Sequence, residues 1–373
     1  MAPILTSGEI RYVFSHNPIM YNLLMKFFGV NEALKFILKA LTIGFLSAQF
    51  PYIILAQDIT PVPTTLQMQI SRIDWVKQYP PISGQTDERS TAGKIVDFII
   101  GKKQTTVLSK PVAVCTANPD TFWILDQGNG VLFKIENELG DIPQFRKNKF
   151  KTFSSLVGLC NFKNGKLLFT DSYLNKVFEF TPKKKALKTF SDTLTLEQPT
   201  GIAFSPINNE IWVVETRAHR IAILNENGQL VKRIGSRGTG PGEFNYPTSI
   251  WIDKKGIVFV VDAMNFRVQI FSKDGDFIST FGKIGDATGY FARPKGIATD
   301  SFGNIYLADA LFNAVQIFDD EGNFLYTFGL QGRGKGEFWM PAGITIDDKD
   351  FIYVADSYNF RVQVFKLVNG GIE

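Results

Sequence analysis

The chain has 373 residues, 45% of them hydrophobic and 20% charged, enough apolar material for a packed core and outside the low-hydrophobicity, high-charge regime of disordered chains. Lys and Arg number 40 against 36 Asp and Glu, a formal charge of +4. Arg11, Lys26, Lys35 and Lys39 against Glu9 and Glu32 place two of those charges before Gln57, so the rest carries no basic field of the kind that argues for nucleic acid.

Residues 40–56 form a nearly uncharged apolar run, preceded by Lys26, Lys35 and Lys39 and ending in Ile54, Leu55 and Ala56 before Gln57. That is the charged, apolar, small-residue order of a secretory signal. The run also reaches the short limit of a membrane span, about 17 residues. Residues 1–56 therefore read as a leader that is either a cleaved signal peptide or an uncleaved membrane anchor, and both readings put the remainder outside the cytoplasm, in the periplasm, at the cell surface or secreted. The long stretch before Met25 makes Met20 and Met25 alternative starts, and no Cys lies near Ala56 to carry a lipid. Residues 57–93 read as a polar tether along the surface of the following domain, with Trp75 as an anchoring point.

From residue 94 onward the chain repeats. Pro247, Pro294 and Pro341 open three nearly superimposable segments containing VFVVDAMNFRVQIF, IYLADALFNAVQIF and IYVADSYNFRVQVF, at a period of 47 residues. Weaker copies begin at Pro111, Leu156 and Pro199. The steps between Ala113, Gly158, Gly201, Ser249, Gly296 and Gly343 are 45, 43, 48, 47 and 47, which makes six units. Each contains four short runs rich in Val, Ile, Phe and Tyr, broken by turn residues such as Asn227-Gly228, Asp274-Gly275 and Glu321-Gly322, a hairpin pattern. Four antiparallel strands per unit predict an all-β, six-bladed propeller. The sixth unit ends at Leu367 and Val368 without the outer strand that the third to fifth units possess, and an open edge invites aggregation. Residues 94–101, KIVDFIIG, are the expected N-terminal strand that closes the ring.

The pattern D-x-x-N-x-R appears as Asp262, Asn265, Arg267 and as Asp356, Asn359, Arg361, with Asp309 in the fifth unit. On these residues the chain resembles the NHL-repeat family over roughly residues 94–368. Glu215 stands for Asp, and Val131, Lys176 and Ala314 for Arg, so the first three units are the more diverged. Arg72, Asp74, Trp75 and Lys77 followed by Pro80 and Pro81 further resemble exported bacterial six-bladed NHL proteins. The repeated Asp, Asn and Arg fall at the turn between the second and third strands, where an ion pair or an Asp-to-backbone bond can tie one blade to the next.

The loops leading from each fourth strand to the next blade share a face with those turns. They read GSRGTGPGEFNYP, GKIGDATGYFARP and GLQGRGKGEFWMP, and present Arg237, Tyr246, Tyr290, Phe291, Arg293, Arg333, Lys335 and Trp339 as the candidate ligand-binding face, with Phe244 and Phe338 as packing wedges. Cations interleaved with aromatics on held loops suit a protein, peptide or envelope-glycan partner. The NHL resemblance also implies RNA as a possible partner, which the near-neutral body and the leader argue against. Oligomeric state is not encoded in any visible pattern.

Related propellers include metal-dependent lyases and lactonases, so a hydrolase or lyase using the central channel is the alternative to a binding scaffold. A zinc site needs several His ligands, and outside the leader His16 the chain has only His219, at a variable repeat position that reads as surface. Asp253, Asp300 and Asp347 read as turn formers, and no catalytic pair, cofactor or metal set emerges. Cys115 and Cys160 share one inner-strand position in adjacent blades, which suits either a disulfide or a site for small side chains.

Overall fold

The computed structural model describes residues 71–80, 108–118, 121–136, 144–145, 153–191 and 194–369, all within a compact unit spanning Gln69–Glu373. The leader 1–56 and residues 94–101 lie outside the described residues. Six four-stranded antiparallel sheets make a six-bladed propeller. The inner strands are Pro111–Asn118, Leu156–Phe162, Pro199–Ser205, Pro247–Ile252, Pro294–Thr299 and Pro341–Ile346. In the first five blades the chain steps outward strand by strand, because short hairpins allow only neighbouring strands to pair.

The hydrophobic core lies between the blades. Each of the six gaps holds one cluster. Ile124, Phe133, Val362 and Val364 fill the gap between blades six and one, and Trp212, Ile223, Ile250 and Val260 the gap between three and four. Second and third strands are sandwiched on both faces, which explains their unbroken apolar runs. Adjacent inner strands approach so closely that a Cβ on Gly158 would lie 2.2 Å from Thr200 O, and one on Gly343 2.5 Å from Val112 O. Glycine is required where the blades converge.

The ring is closed by an N-terminal strand, but an earlier one than the hydrophobic pattern suggests. Ser71–Tyr79 pairs antiparallel with Arg361–Asn369 as the outer strand of blade six, from Ser71 opposite Asn369 to Tyr79 opposite Val362. The segment expected to be part of a tether is therefore a structural strand. Its register shifts between Trp75 and Lys77. Before the bulge, Ile73 and Trp75 pack into the cluster between blades five and six; after it, Tyr79 enters the cluster between blades six and one, edge-on to Phe122 at 4.9 Å. A bulge inverts which face successive side chains occupy, so the strand lacks the simple alternation that marks strands in a sequence.

Removal of the Tyr79 ring therefore tests closure. Tyr79→Ala is expected to cost about 3 kcal/mol, whereas Val76→Ala, on the exposed bulge residue, should cost under ~0.5 kcal/mol, both measured by denaturant unfolding.

Candidate functional site

Every second strand ends on a buried acid: Asp126, Asp171, Glu215, Asp262, Asp309 and Asp356 are all fully inaccessible. Each accepts backbone N–H bonds from the loop that delivers its own blade's inner strand. Asp309 takes those of Ala292 and Arg293, Asp126 those of Ser109 and Lys110, and Asp356 that of Trp339. Where the repeat supplies Arg, it bridges acid and loop. Arg361 Nε donates to Asp356 at 2.7 Å while its other nitrogens reach the carbonyls of Arg333, Gly334 and Glu337. Arg267 does the same with Asp262, Thr239, Gly240 and Glu243. Asn265 and Asn359 complete the two clamps through Gly238 O and Gly332 O. A glutamine two residues beyond the Arg position, Gln269, Gln316 or Gln363, is a further clamp: its amide bonds both an N–H and a carbonyl of the loop. That repeat of Gln was visible in the sequence as VQI, VQI and VQV.

The same loops fold around phenylalanine. Phe244, Phe291 and Phe338 are wholly buried, each bridged back to the start of its loop. A Cβ on Gly282, at φ +94°, would lie 2.2 Å from the Phe291 ring. Phe291 is therefore a wedge like the other two and leaves the candidate binding face: its loop lacks the GEF spelling, but its ring fills the same gap. The remaining candidates divide. Arg237 is exposed; Tyr290 is half-buried beneath Lys283 Nζ, 4.6 Å from the ring centre; Lys335 lies over Trp75 of the outer strand at 4.7 Å. Arg333 stacks on Trp339 at 5.2 Å, and Trp339 meets Tyr358 at 5.9 Å. Exposed Tyr246 packs edge-on against His219 at 4.4 Å. Arg293 alone of the eight lines the channel.

The central channel has a volume of about 920 Å³. Its wall is formed by the six inner strands, with Leu159, Ile202, Phe204, Ile250 and Trp251 among the lining residues, and Trp251 donates to Thr299 Oγ1 at 2.9 Å. At the loop-face mouth stand Lys110, Arg293 and Lys295 with neutral Gln127, Ser155 and Gln198; at the far mouth stand Asp253, Asp300, Asp347 and Asp348 with Lys254 and Lys255. Around the loop-face mouth the turns between second and third strands raise a crown of apolar and aromatic side chains at one repeat position, two residues after the acid. Tyr173, Met264, Leu311 and Tyr358 are 74, 54, 55 and 45% exposed. This crown was missed because a turn residue is ordinarily read as solvated; the signal was that four of six repeats place a large apolar residue there.

Residues 148–268 match the family described as 6-bladed beta-propeller, and residues 338–365 match the NHL repeat. The protein is a six-bladed propeller of NHL-repeat type. No curated protein sequence matches it significantly. Among solved structures the NHL propeller is similar to a catalytically inactive histidine-to-alanine form of virginiamycin B lyase from Staphylococcus aureus with quinupristin, at 19% identity over 71% of this chain and 97% of that one, TM-score 0.52. It is also similar to auxiliary nutrient binding proteins from Bacteroides thetaiotaomicron, at 12% identity over 70% of each chain, TM-score 0.57, and from Bacteroides ovatus, at 13% over 70% of each, TM-score 0.55. At these identities the likeness is one of fold.

Within the NHL propeller, three expectations acquire geometry. His219 is not a surface residue: it is 7% exposed, and its Nδ1 accepts the N–H of Tyr246 at 3.1 Å. Asn175 and Asn313 occupy the same left-handed position and bond the matching N–H groups of Gln198 and Met340, so the imidazole substitutes for an amide oxygen. Asp253, Asp300 and Asp347 spend their carboxylates on turn N–H groups, the latter two also on Tyr306 and Tyr353 hydroxyls. Among the described residues no three His, Cys, Asp or Glu side chains cluster as metal ligands. Cys115 and Cys160 are unbridged, and burial pushes the Cys160 thiol up to about 12 and the Cys115 thiol well above its ordinary value, which disfavours thiolate chemistry.

Two outcomes check the clamps. Arg361→Ala strands a buried carboxylate and should cost about 3–5 kcal/mol, while Arg333→Ala, exposed on the same loop, should leave the unfolding midpoint nearly unchanged. Burial opposes ionisation of Glu215, but hydrogen bonds from Arg220 and Arg233, at 2.8 Å each, outweigh it and hold the carboxyl below the usual glutamate range. A lowered folded-state value means stability present at neutral pH and lost as pH falls below about 4.3 through the folded value. Glu215→Gln should thus lower stability at pH 7 and flatten the acid limb of the stability profile.

Proposed function

We propose that this protein is an extracytoplasmic binding propeller that presents its loop face to a protein, peptide or glycan partner. The observation carrying this reading is the crown: four large side chains, Tyr173, Met264, Leu311 and Tyr358, held in solvent by clamped turns around a channel mouth. Exposure of apolar groups in a ring is costly unless a partner covers them. Rigid mounting keeps the entropic cost of capture low. Trp339 and Arg333 extend the surface outward from Tyr358, and aromatic and Arg anchors are the side chains that dominate recognition. The export reading rests on the order of charges and apolar residues in 1–56, and two of the similar folds are nutrient binding proteins. Binding is favoured over catalysis because the buried His219 and the channel acids are already committed to backbone and turn contacts.

Arrays of peptides and envelope glycans, probed with the wild type and with a Tyr173→Ser/Leu311→Ser/Tyr358→Ser variant, test the assignment. Retained melting temperature with at least about tenfold weaker capture by the variant is the expected result. Equal capture by both proteins would move recognition off this face.

A further inference from the structure

We propose that the loop-face mouth of the channel is a carboxylate-binding site in which Lys295, Arg293 and Lys110 hold the acid group of a small organic ligand. The inference deepens the binding reading above by naming the chemistry its ligand carries.

The three cations converge from two blades. Lys295 is the second residue of its inner strand; the other five strands place Val112, Val157, Thr200, Thr248 and Ala342 there. At this inner-strand position one blade alone carries an ammonium. Arg293 and Lys110 share a repeat position, immediately before the inner-strand proline, and their backbone N–H groups are fixed by Asp309 and Asp126. Blade six, between them, contributes Met340, Pro341, Ala342, Ser357 and Tyr358 to the mouth, none of them charged.

Among the described residues Lys110, Arg293 and Lys295 form no ion pair, whereas Arg220, Arg233, Arg267 and Arg361 are all paired. The Asp309 carboxylate acts on Lys295 from within the wall, but its oxygens accept four backbone N–H groups, from Ala292, Arg293, Leu311 and Phe312. Burial, and then the neighbouring charges of Arg293 and Lys110, push the Lys295 ammonium below its ordinary value. Like charges gathered at a partly desolvated wall are unfavourable until an anion joins them. The acids of the channel lie at its other end, where Asp348 pairs with Lys254 at 2.7 Å, so the channel is polarised to draw an anion in from the crown side. A guanidinium offers a planar two-point fork to a carboxylate and the ammonium a point charge. A channel of about 920 Å³ lies within the range that accepts a small molecule or the end of a chain, roughly 300–1,000 Å³. The carboxylate can come from an acidic sugar or from a peptide C-terminus, and the two sources are separable.

The test is calorimetric titration of the propeller at low salt with a galacturonate dimer against the neutral galactose dimer, and with a short peptide bearing a free against an amidated C-terminus. Binding of one acid-bearing probe, with its neutral counterpart inert, is the expected result and identifies the source. Lys295→Gln should weaken that binding about tenfold or more yet leave the unliganded melting temperature equal or higher, because it relieves like-charge repulsion. Lys254→Gln, at the far mouth, should change neither. Absence of binding by every acid, or equal binding by the neutral probes, overturns the site. A lower melting temperature for Lys295→Gln with unchanged binding makes Lys295 structural and does the same. Array capture that depends on Tyr358 and Leu311 while no carboxylate binds would leave the crown standing and remove only this inference.

Discussion

The structure depends on a buried carboxylate at the end of each blade's second strand. A charge taken out of water is tolerated only when its oxygens are fully engaged, and here they are engaged by the N–H groups of the loop about to become the inner strand. The acid therefore anchors the loop from which each inner strand enters the ring. The blades meet this demand in two ways. Asp171 and Asp309 take four backbone N–H groups each. Asp262 and Asp356 take fewer and are completed by Asn and Arg, whose remaining donors hold the long GEF loops by their carbonyls. Arg in this repeat is thus a brace for long loops, and the fifth blade, with Ala314 in place of that Arg, holds its own long loop by Gln316.

Rigidity and the proposed recognition share one face but use different atoms. The loops turn their Phe inward and their backbone toward the clamps, while the turns between second and third strands project side chains that touch little. A stiff frame carrying exposed Tyr173, Met264, Leu311 and Tyr358 around a cationic mouth is suited to capturing a ligand at small conformational cost. The inner-strand glycines allow neighbouring backbones to meet where the blades converge, and Lys295 is the one charged residue at its inner-strand position.

Much of this was legible in the residues. The 47-residue period, the hairpin turns and the apolar second and third strands specify blades because each run must be buried on both faces. The failures have local causes. Polar Arg72, Asp74, Lys77 and Gln78 hid an outer strand that is half-exposed and bulged, so neither hydrophobicity nor alternation marked it. Phe291 was separated from Phe244 and Phe338 by the spelling GYF in place of GEF, although what matters is a ring that fills the gap beside a left-handed glycine. His219 looked variable because that left-handed position holds Asn175 and Asn313 in two blades but Gly130, Phe266 and Phe360 in the others, so no single residue type marks it.

Sequence alone determined the number of blades, their four-strand composition, the clamping acids and the loop face, since these follow from periodic burial and from turn chemistry that acts within a few residues. Tertiary structure decided which strand closes the ring, which aromatics face water, and that Lys110, Arg293 and Lys295 meet at one mouth. Those outcomes join residues far apart along the chain, from Trp75 to Gln363 and from Lys110 to Lys295, and only closure of the ring brings them within bonding or Coulombic reach.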